Sequence, residues 1–526
     1  MKTPRSAIPR IVRLHPEDAI LIAIDALPAG FTADGIAAAQ QIPRGHKMAL
    51  RPISAGEPIR KFGQPIGIAA KPIAAGEWVH DHNCIFEHQE LEAQVGTAAV
   101  SVSASAGAGA GAGASASARP LGSNAPAMFQ GYRRGNGSAG TRNYVGVLTS
   151  VNCSATVARY IAEEAHRSGL VDKFPGVDGI VPIMHSTGCG MAGSGGGYDI
   201  LDRCLWGYAA NPNMGGVLMV GLGCEVLQIE RFKKERSLGD SETFRSFTIQ
   251  GEGGTKKAVD TGLAALEAML PLVAAAKREP IPASELTVGL QCGGSDGYSG
   301  ITANPALGAA VDLLVQQGGT AILSETPEIY GAEHLLIRRM QDPAVAGDLL
   351  DVIRWWESYV GQHGGSMNNN PSPGNKAGGI STILEKSLGA AMKGGTTGVT
   401  AVYRYAQQVK RKGLVFMDTP GFDPVSATGQ VAGGANLICF TTGRGSAYGC
   451  KPTPSLKLST TTDLYRRMED DMDINCGDIL DGISIADKGK EIFESMLRTA
   501  SGERTKSEKL GYGDAEFVPW QIGAVM

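Results

Sequence analysis

Apolar and polar positions change their rhythm along this chain. Over residues 1–96 short β-rich runs dominate, "AILIAIDAL" (19–27) and "HKMALRPI" (46–53) among them. "PISAGEPI" (52–59) returns as "PIAAGEWV" (72–79), each a strand, a glycine turn and a strand. Gly56 and Gly76 supply those turns because glycine tolerates φ > 0. A small all-β sheet or barrel-like module is predicted. From Gly131 the rhythm becomes apolar strand, then amphipathic helix. "YVGVLTSV" precedes "SATVARYIAEEAHRSG", "GIVPIM" precedes "YDILDRCLWGYA", and "GGVLMVGLG" precedes "EVLQIERFKKER". "LTVGLQ" precedes "NPALGAAVDLLVQQ", and "GTAILSE" follows. This alternation predicts mainly parallel sheets covered on both faces. The break at "KREPIPASEL" (277–286) divides two α/β domains, 129–283 and 284–526.

Between the β module and the α/β region lies a linker, 97–128, that opens "TAAVSVSASAGAGAGAGASASAR". It has no aromatic residue and no charge before Arg119, so it reads as a flexible tether. A coil of that length spans roughly 25 Å root-mean-square, enough to seat the module on its own chain or a neighbouring subunit. The whole chain, 526 residues with 43% hydrophobic and 19% charged positions, suits a multidomain globular protein. A net charge of −4 leaves no basic footprint, so nucleic acid is not an expected partner. No apolar run of ~18 residues predicts a membrane span, and "MKTPRSAIPRIVRL" is not a secretory signal. The expected address is cytoplasmic, where the nine cysteines are reduced thiols, metal ligands or core residues.

Four of those cysteines share a position. Cys153, Cys189, Cys224 and Cys292 each lie just past a predicted strand, in "VLTSVNC", "PIMHSTGC", "VGLGCE" and "VGLQCGG". Ligands of open α/β sheets bind outside the carboxyl ends of the strands, so these thiols are candidates to converge on one pocket. Cys and His are natural ligands for iron or zinc, and His185 is near enough to Cys189 to join. The alternative is four small buried hydrophobes, the reading given to Cys84, Cys204, Cys439, Cys450 and Cys476. Gly188, Gly190 and Gly193 of "HSTGCGMAG" fit a dinucleotide-binding G-x-G-x-x-G. Its acidic partner is missing, since Glu225 is too distant and Asp199 and Asp202 fall in the following helix.

Histidines form a second group. His46 lies in "RGHKMAL", and His80 and His82 in "WVHDHNC" share one face if the strand continues. His15, His88, His166, His334 and His363 are isolated and read as structural. Three polar loops complete the candidates. "CGGSDGYSGITANP" (292–305) carries Ser295 and Asp296, with Thr302 or Asn304 as helix cap. "NNNPSPGNKAGG" (368–379) carries Asn375 and Lys376, and "FTTGRGSAYG" (440–449) carries Thr442 and Arg444. Such loops can offer amides, hydroxyls and a cation to an anionic, polyhydroxylated substrate. Neither G-x-x-x-x-G-K-[ST] nor G-x-S-x-G occurs, which argues against P-loop and α/β-hydrolase chemistry.

Read in order, "GYRRGNGSAGTRNYV", "HSTGCG", "GLGCE", "QCGGSDGYSGITANP", "NPSPGNKAGG", "FTTGRGSAYG" and "DMDINCG" resemble the altronate/galactarate dehydratase family. "IPRGHKMAL", "KFGQPIG" and "VHDHN" resemble its N-terminal SAF-type domain. "VHDHN", "ETPEIYGAE" and "NKAGGISTILEKSLG" look closer to the altronate branch. The chain departs from the family at "SAYG", where a Pro-Tyr pair is usual, and in its long tether. The resemblance implies iron-dependent dehydration of a sugar acid, D-altronate first, to a 2-keto-3-deoxy acid. The iron is either mononuclear Fe2+ or an iron–sulfur cluster. On this resemblance the iron-site pool is Cys153, His185, Cys189, Cys224 and Cys292, with His80 as a further candidate. Lys376 and Arg444 are candidates for the substrate carboxylate, where arginine offers bidentate binding. His82, His46 and Lys47 are candidates for the acid or base, as is Lys376. Ser295, Asp296, Asn304, Asn375 and Thr442 complete the expected substrate contacts, and a homo-oligomer is the expected assembly if there is one. Galactarate dehydration, a sulfo-lyase reaction, a nucleotide-dependent oxidoreductase and a non-catalytic sugar-acid binder are the competing readings.

Overall fold

A computed structural model describes residues 8–87, 95–97 and 126–523. Most of the predicted tether, and His88, lie outside the described residues.

The first module is all-β, as the short runs predict. One antiparallel sheet orders Ile11–Val12, Ile20–Ala23, Lys47–Ala49 and Trp78–Val79, and a second orders Pro58–Lys61, Gln64–Ala69 and Cys84–Ile85. The sequence repeat is a structural one: Ile53 and Ile73 bridge each other in the core, and Gly56 and Gly76 both take positive φ.

Two parallel sheets follow. The first orders Gly179–Ile183, Tyr144–Thr149, Met214–Gly221 and Phe244–Thr248. The second has seven strands, in the order Val399–Tyr403, Gly413–Met417, Thr320–Leu323, Thr287–Cys292, Leu437–Thr442, Ser455–Ser459 and Ile474–Asn475. Their central strands are buried along almost their whole length and mostly apolar, as strands of a parallel sheet covered on both faces are. The break at 277–286 is more than a connector. Arg278–Pro282 pairs antiparallel with Met128–Arg133, which clamps the start of the α/β region to its midpoint.

Two packing facts position the site. Helix Gly196–Ala209 follows one sheet's strand Gly179–Ile183, and helix Asp423–Ala432 follows the other's strand Gly413–Met417. These helices share a core, and their C-terminal ends meet where Gly207 lies against Ala432. The β module sits on the third domain of its own chain: Ile20, Ala49, Ile59 and Ile66 form one apolar cluster with Ala332, Leu388 and Ala391.

Candidate active site

The seam between the β module and the third domain is built on helix Ile383–Ala391. Thr382 caps its N-terminus and also donates its hydroxyl to the Ile66 carbonyl of the module. Its first turn holds two adjacent, oppositely charged, buried residues that reach different partners. Glu385 accepts from Lys47 Nζ at 2.7 Å and Lys61 Nζ at 2.9 Å, both from the module, and from the Ser381 amide at 2.9 Å. Burial works against its charge, yet the two ammonium groups outweigh it and hold the carboxyl well below its usual range. Burial also pulls the Lys47 ammonium down. With a carboxylate 2.7 Å away, we take the pair as ionised. Close backbone approach makes this possible. A side chain at Gly297 or Gly379 would collide with the Gly45 carbonyl.

Lys386 turns the other way. Its ammonium donates to Glu328 Oε1 at 2.7 Å and Asn370 Oδ1 at 2.5 Å. Behind Glu328, Cys292 Sγ lies 3.2 Å from Glu328 Oε2, and Lys393 Nζ lies 2.9 Å from both Cys292 Sγ and Glu325 Oε2. Asp423, at the start of its helix, lies against Gly293 and shares the electrostatic network. Three carboxyls thus share two ammonium groups, so they compete for the same positive charge. Burial would raise Glu328, but Lys386 and Lys393 outweigh it and hold it below the usual range. Burial and the Glu328 charge push Asp423 up to about 7 and Glu325 up to about 8. An ionised carboxylate beside protonated ones is the arrangement that elimination needs. A small cavity on the seam is lined by Lys61, Ser295, Asp296, Asn304, Glu385 and Lys386, among others.

The remaining thiols gather elsewhere. Cys153, Cys189 and Cys224 sit on three loops at the carboxyl edge of the four-stranded sheet, and all three are exposed. Backbone bonds stitch the loops together. The Asn152 amide donates to Thr187 O at 2.9 Å, and the Val226 and Leu227 amides donate to Gly188 O at 3.1 and 3.2 Å. Gly188 (φ 101°) and Gly190 (φ 64°) are left-handed, and a side chain at Gly188 would collide with the Ser150 carbonyl. Gly188→Ala therefore costs about 1–3 kcal/mol from backbone strain alone. Urea unfolding checks this, and a variant as stable as the parent would refute it.

Several expectations need correction. Cys292 does not join the other three thiols. It belongs to the seven-stranded sheet and lies with Glu325 and Glu328, their ligand atoms within 4.8 Å of one another. That trio could hold a metal, but the Lys393 ammonium already occupies the ground between Cys292 and Glu325. His185 has no ring nitrogen free for a metal: Nε2 bonds Thr149 O at 2.9 Å and Nδ1 accepts from the Thr187 amide at 3.3 Å. Burial pushes it down to about 4, so it is a neutral brace for the Cys189 loop. His80 and His82 do not share a face. The strand ends at Val79, and Asn83 closes a turn through the His80 amide and the Trp78 carbonyl. His80 is buried, stacks on Trp78 and meets Ser381, which makes it a seam residue; His82 is exposed on another side of Trp78. His46 accepts from the Trp78 indole at 3.1 Å and points its other nitrogen at Ala377 O, so it too packs the seam. Lys47 is committed to Glu385 and Gly379 O, which removes it from proton transfer.

Among the loop residues, Asn375 and Asn304 are spent on structure. Asn375 forms a capping box with Ser372 and bonds Ser295 O, and Asn304 joins Thr441 to Gly389. Thr302 is the N-cap of helix Ala303–Gln316, but its hydroxyl bonds Thr460 O instead of capping. Asp296 organises its own turn through Tyr298 and Ser299 and accepts from Thr460. Thr442 accepts the Gly445 amide, which shapes the loop that exposes Arg444. Lys376 is half-exposed, 3.7 Å from Asp81 of the module. Ser295 lines the cavity. Sequence reasoning missed Glu325, Glu328, Lys386, Lys393 and Asp423. The signal for two was present: Glu325 follows strand Thr320–Leu323, and Asp423 follows strand Gly413–Met417. The strand-end rule applied to thiols applies equally to carboxylates. As for a dinucleotide, Glu225 has both oxygens engaged, by Ser150 Oγ and the Gly223 amide.

Comparison with known proteins bears on the same segments. Three family models match in sequence. They are the altronate/galactarate dehydratase SAF domain over 9–86, the D-galactarate dehydratase/altronate hydrolase second domain over 131–274, and the D-galactarate/altronate dehydratase C-terminal domain over 283–525. The chain is 34% identical to the altronate dehydratase of Bacillus subtilis, over 95% of this chain and 96% of that one. It is 37% identical to the L-threo-forming galactarate dehydratase of Escherichia coli, over 95% and 94%. The beta subunit of a (2R)-sulfolactate sulfo-lyase from Chromohalobacter salexigens matches at 30% over 74% of this chain and 96% of that one. With all three domains matched in order and the relatives covered nearly end to end, this chain is a hydro-lyase of the altronate/galactarate dehydratase family.

Proposed function

We propose that the chain dehydrates a sugar acid to its 2-keto-3-deoxy acid, with D-altronate as the first substrate and galactarate as the second. The observation that carries this is the buried Glu328–Lys386 ion pair at 2.7 Å beside Asp423, in which one carboxyl is held below its usual range and its neighbour is pushed up to about 7. The C2 proton beside a carboxylate is weakly acidic, and hydroxide leaves C3 poorly. Glu328 takes the C2 proton, Lys386 holds the oxygens on which charge develops, and Asp423 protonates the departing hydroxyl. The enol then tautomerises to the ketone. Lys376 and Arg444 at the rim receive the substrate's carboxylate end. The second substrate reading is favoured by the higher identity to a galactarate dehydratase.

Iron is the cofactor we propose, and the soft, unpaired thiols of Cys153, Cys189 and Cys224 are the donor set that suits it. When bound it would supply Lewis acidity toward oxygen ligands. A cytoplasmic setting, in which such thiols stay reduced, belongs to the same proposal. No helix among the described residues is long and apolar enough to cross a membrane.

The test is to offer iron-reconstituted protein a panel of aldonates and aldarates and assay 2-keto acid. Keto-acid release supports the proposal. Sulfite release from a sulfo acid, or NAD reduction without keto acid, overturns it. A pH dependence follows. The hydroxyl is protonated only while Asp423 is a neutral acid, so kcat/KM declines as pH rises past about 7. Asp423→Asn abolishes that alkaline limb. An unchanged limb in the variant would refute the assignment.

A further inference from the structure

We propose that Asn370 is a positioning residue of the reaction, a carboxamide that clamps Glu328 to Lys386 and aims the ammonium's third hydrogen at the substrate. This deepens the reading above and rests on its assignment of Glu328 and Lys386. Three groups close a ring. Lys386 Nζ donates to Glu328 Oε1 at 2.7 Å and to Asn370 Oδ1 at 2.5 Å, and Asn370 Nδ2 donates to Glu328 Oε1 at 3.1 Å. Only one orientation of the carboxamide serves both partners, because an ammonium only donates and an ionised carboxylate only accepts. An ammonium has three hydrogens, and the ring occupies two of them. The third is left for the cavity that Lys386 lines, where charge develops on a substrate oxygen.

The chain around Asn370 holds this side chain in place. Asn370 follows the short turn Met367–Asn369 and precedes Pro371, which keeps it extended (φ −103°, ψ 99°). Two residues earlier, Asn368 Oδ1 accepts the Ile383 amide at 3.0 Å, so the loop is fastened to the start of the helix that carries Lys386. The other wall is Gly421. A side chain there would come to 2.8 Å from Asn370 Nδ2 and 3.2 Å from Glu328 Oε1. Glycine therefore lets the backbone pass close over the ring, just before the helix that begins at Asp423.

The clamp acts on Glu328 with a definite sign. That carboxyl faces Lys386 and Lys393, which favour its charge, the Cys292 thiol at 3.2 Å, and Glu325 and Asp423, whose charges would oppose it. The Asn370 amide adds a donor on the side of the ionised form. Without it Glu328 takes up its proton at a higher pH, and the lysine is free to rotate away from its aim.

The experiment is steady-state kinetics over pH on iron-reconstituted Asn370→Ala, Asn370→Asp and Gly421→Ala, with circular dichroism to confirm the fold. Asn370→Ala lowers kcat by roughly 10²-fold with KM little changed. It also moves the acid limb of kcat/KM up by about one pH unit. Asn370→Asp has the same shape and still accepts from Lys386, but it sets a negative charge against Glu328 and moves the limb further. Gly421→Ala pushes the carboxamide aside and reproduces the Asn370→Ala shift, although it removes no polar group. A side chain that merely supported the loop would tolerate the isosteric Asp and leave the limb alone. An unmoved limb in Asn370→Ala, or parent-like kinetics in Asn370→Asp, overturns the proposal. Infrared titration of isotope-labelled glutamate carboxyls reads the same shift without turnover, with the Glu328→Gln difference marking the band. A shifted band in protein that makes no keto acid from any substrate leaves the clamp on Glu328 and removes the dehydration. Keto acid from the parent, with a band that stays in place in Asn370→Ala, removes the clamp and leaves the dehydration standing.

Discussion

Glu328→Gln lowers kcat/KM by about 10²–10⁴-fold, the usual worth of a positioned general base. The amide keeps the shape and still accepts a hydrogen bond from Lys386, so the loss reports proton transfer and not collapse. Three features of the site make Glu328 the base. It is held ionised by Lys386 at 2.7 Å and by Lys393 behind it. Asn370 donates to the same oxygen at 3.1 Å, which fixes the carboxylate's orientation. Glu325 and Asp423, the neighbouring carboxyls, are pushed up to about 8 and about 7, so Glu328 is the most fully ionised of the three near neutral pH. The check is steady-state kinetics on the substrate that the panel identifies, with circular dichroism to confirm the fold. Deuterium at C2 of the substrate should also slow the parent enzyme. A Gln variant within threefold of the parent would remove Glu328 from the mechanism.

Glu385→Ala destabilises the chain by about 3–5 kcal/mol, because it leaves Lys47 and Lys61 buried without a counter-charge. The damage falls on the seam, since both lysines belong to the β module and the carboxylate to the third domain. Combining Glu385→Leu with Lys47→Met and Lys61→Met recovers much of the loss, since no uncompensated charge remains. The pH dependence has a definite sign. The folded Glu385 carboxyl sits below its ordinary value of 4.5, so the unfolded chain binds the extra proton between the two values. Its stabilisation is complete above about 4.5 and is lost as pH falls toward the folded value. Urea unfolding from pH 3 to 7 therefore shows a shallower acid slope in the variant than in the parent. Equal slopes would mean that Glu385 is not held as an ion.

The β module, the alternation of strand and helix and the crowding of thiols at strand ends were legible locally. Period-2 runs, paired glycine turns and apolar strands each encode their state within a few residues. The strand-end rule found Cys153, Cys189 and Cys224 and also drew in Cys292, because each lies in a similar local frame. What it could not read was the sheet to which each strand belongs, and Cys292 lies in the other one. His80 and His82 failed for a nearer reason. An asparagine three residues on ended the strand through two side-chain bonds, a turn signal that alternation alone does not register.

Element type, domain order, family and the loop chemistry were determined by the sequence itself, because each depends on neighbours within one turn, one strand or one motif. Tertiary structure alone decided which groups share a field. Glu328, Lys386 and Asp423 come from three separate segments, and the two carboxyls are shifted in opposite directions only after burial strips water from them and brings two ammonium groups close. The same burial turned Lys47 from a candidate base into half of an ion pair. Desolvation and Coulomb coupling act through space and not along the chain, so no local pattern could have announced them.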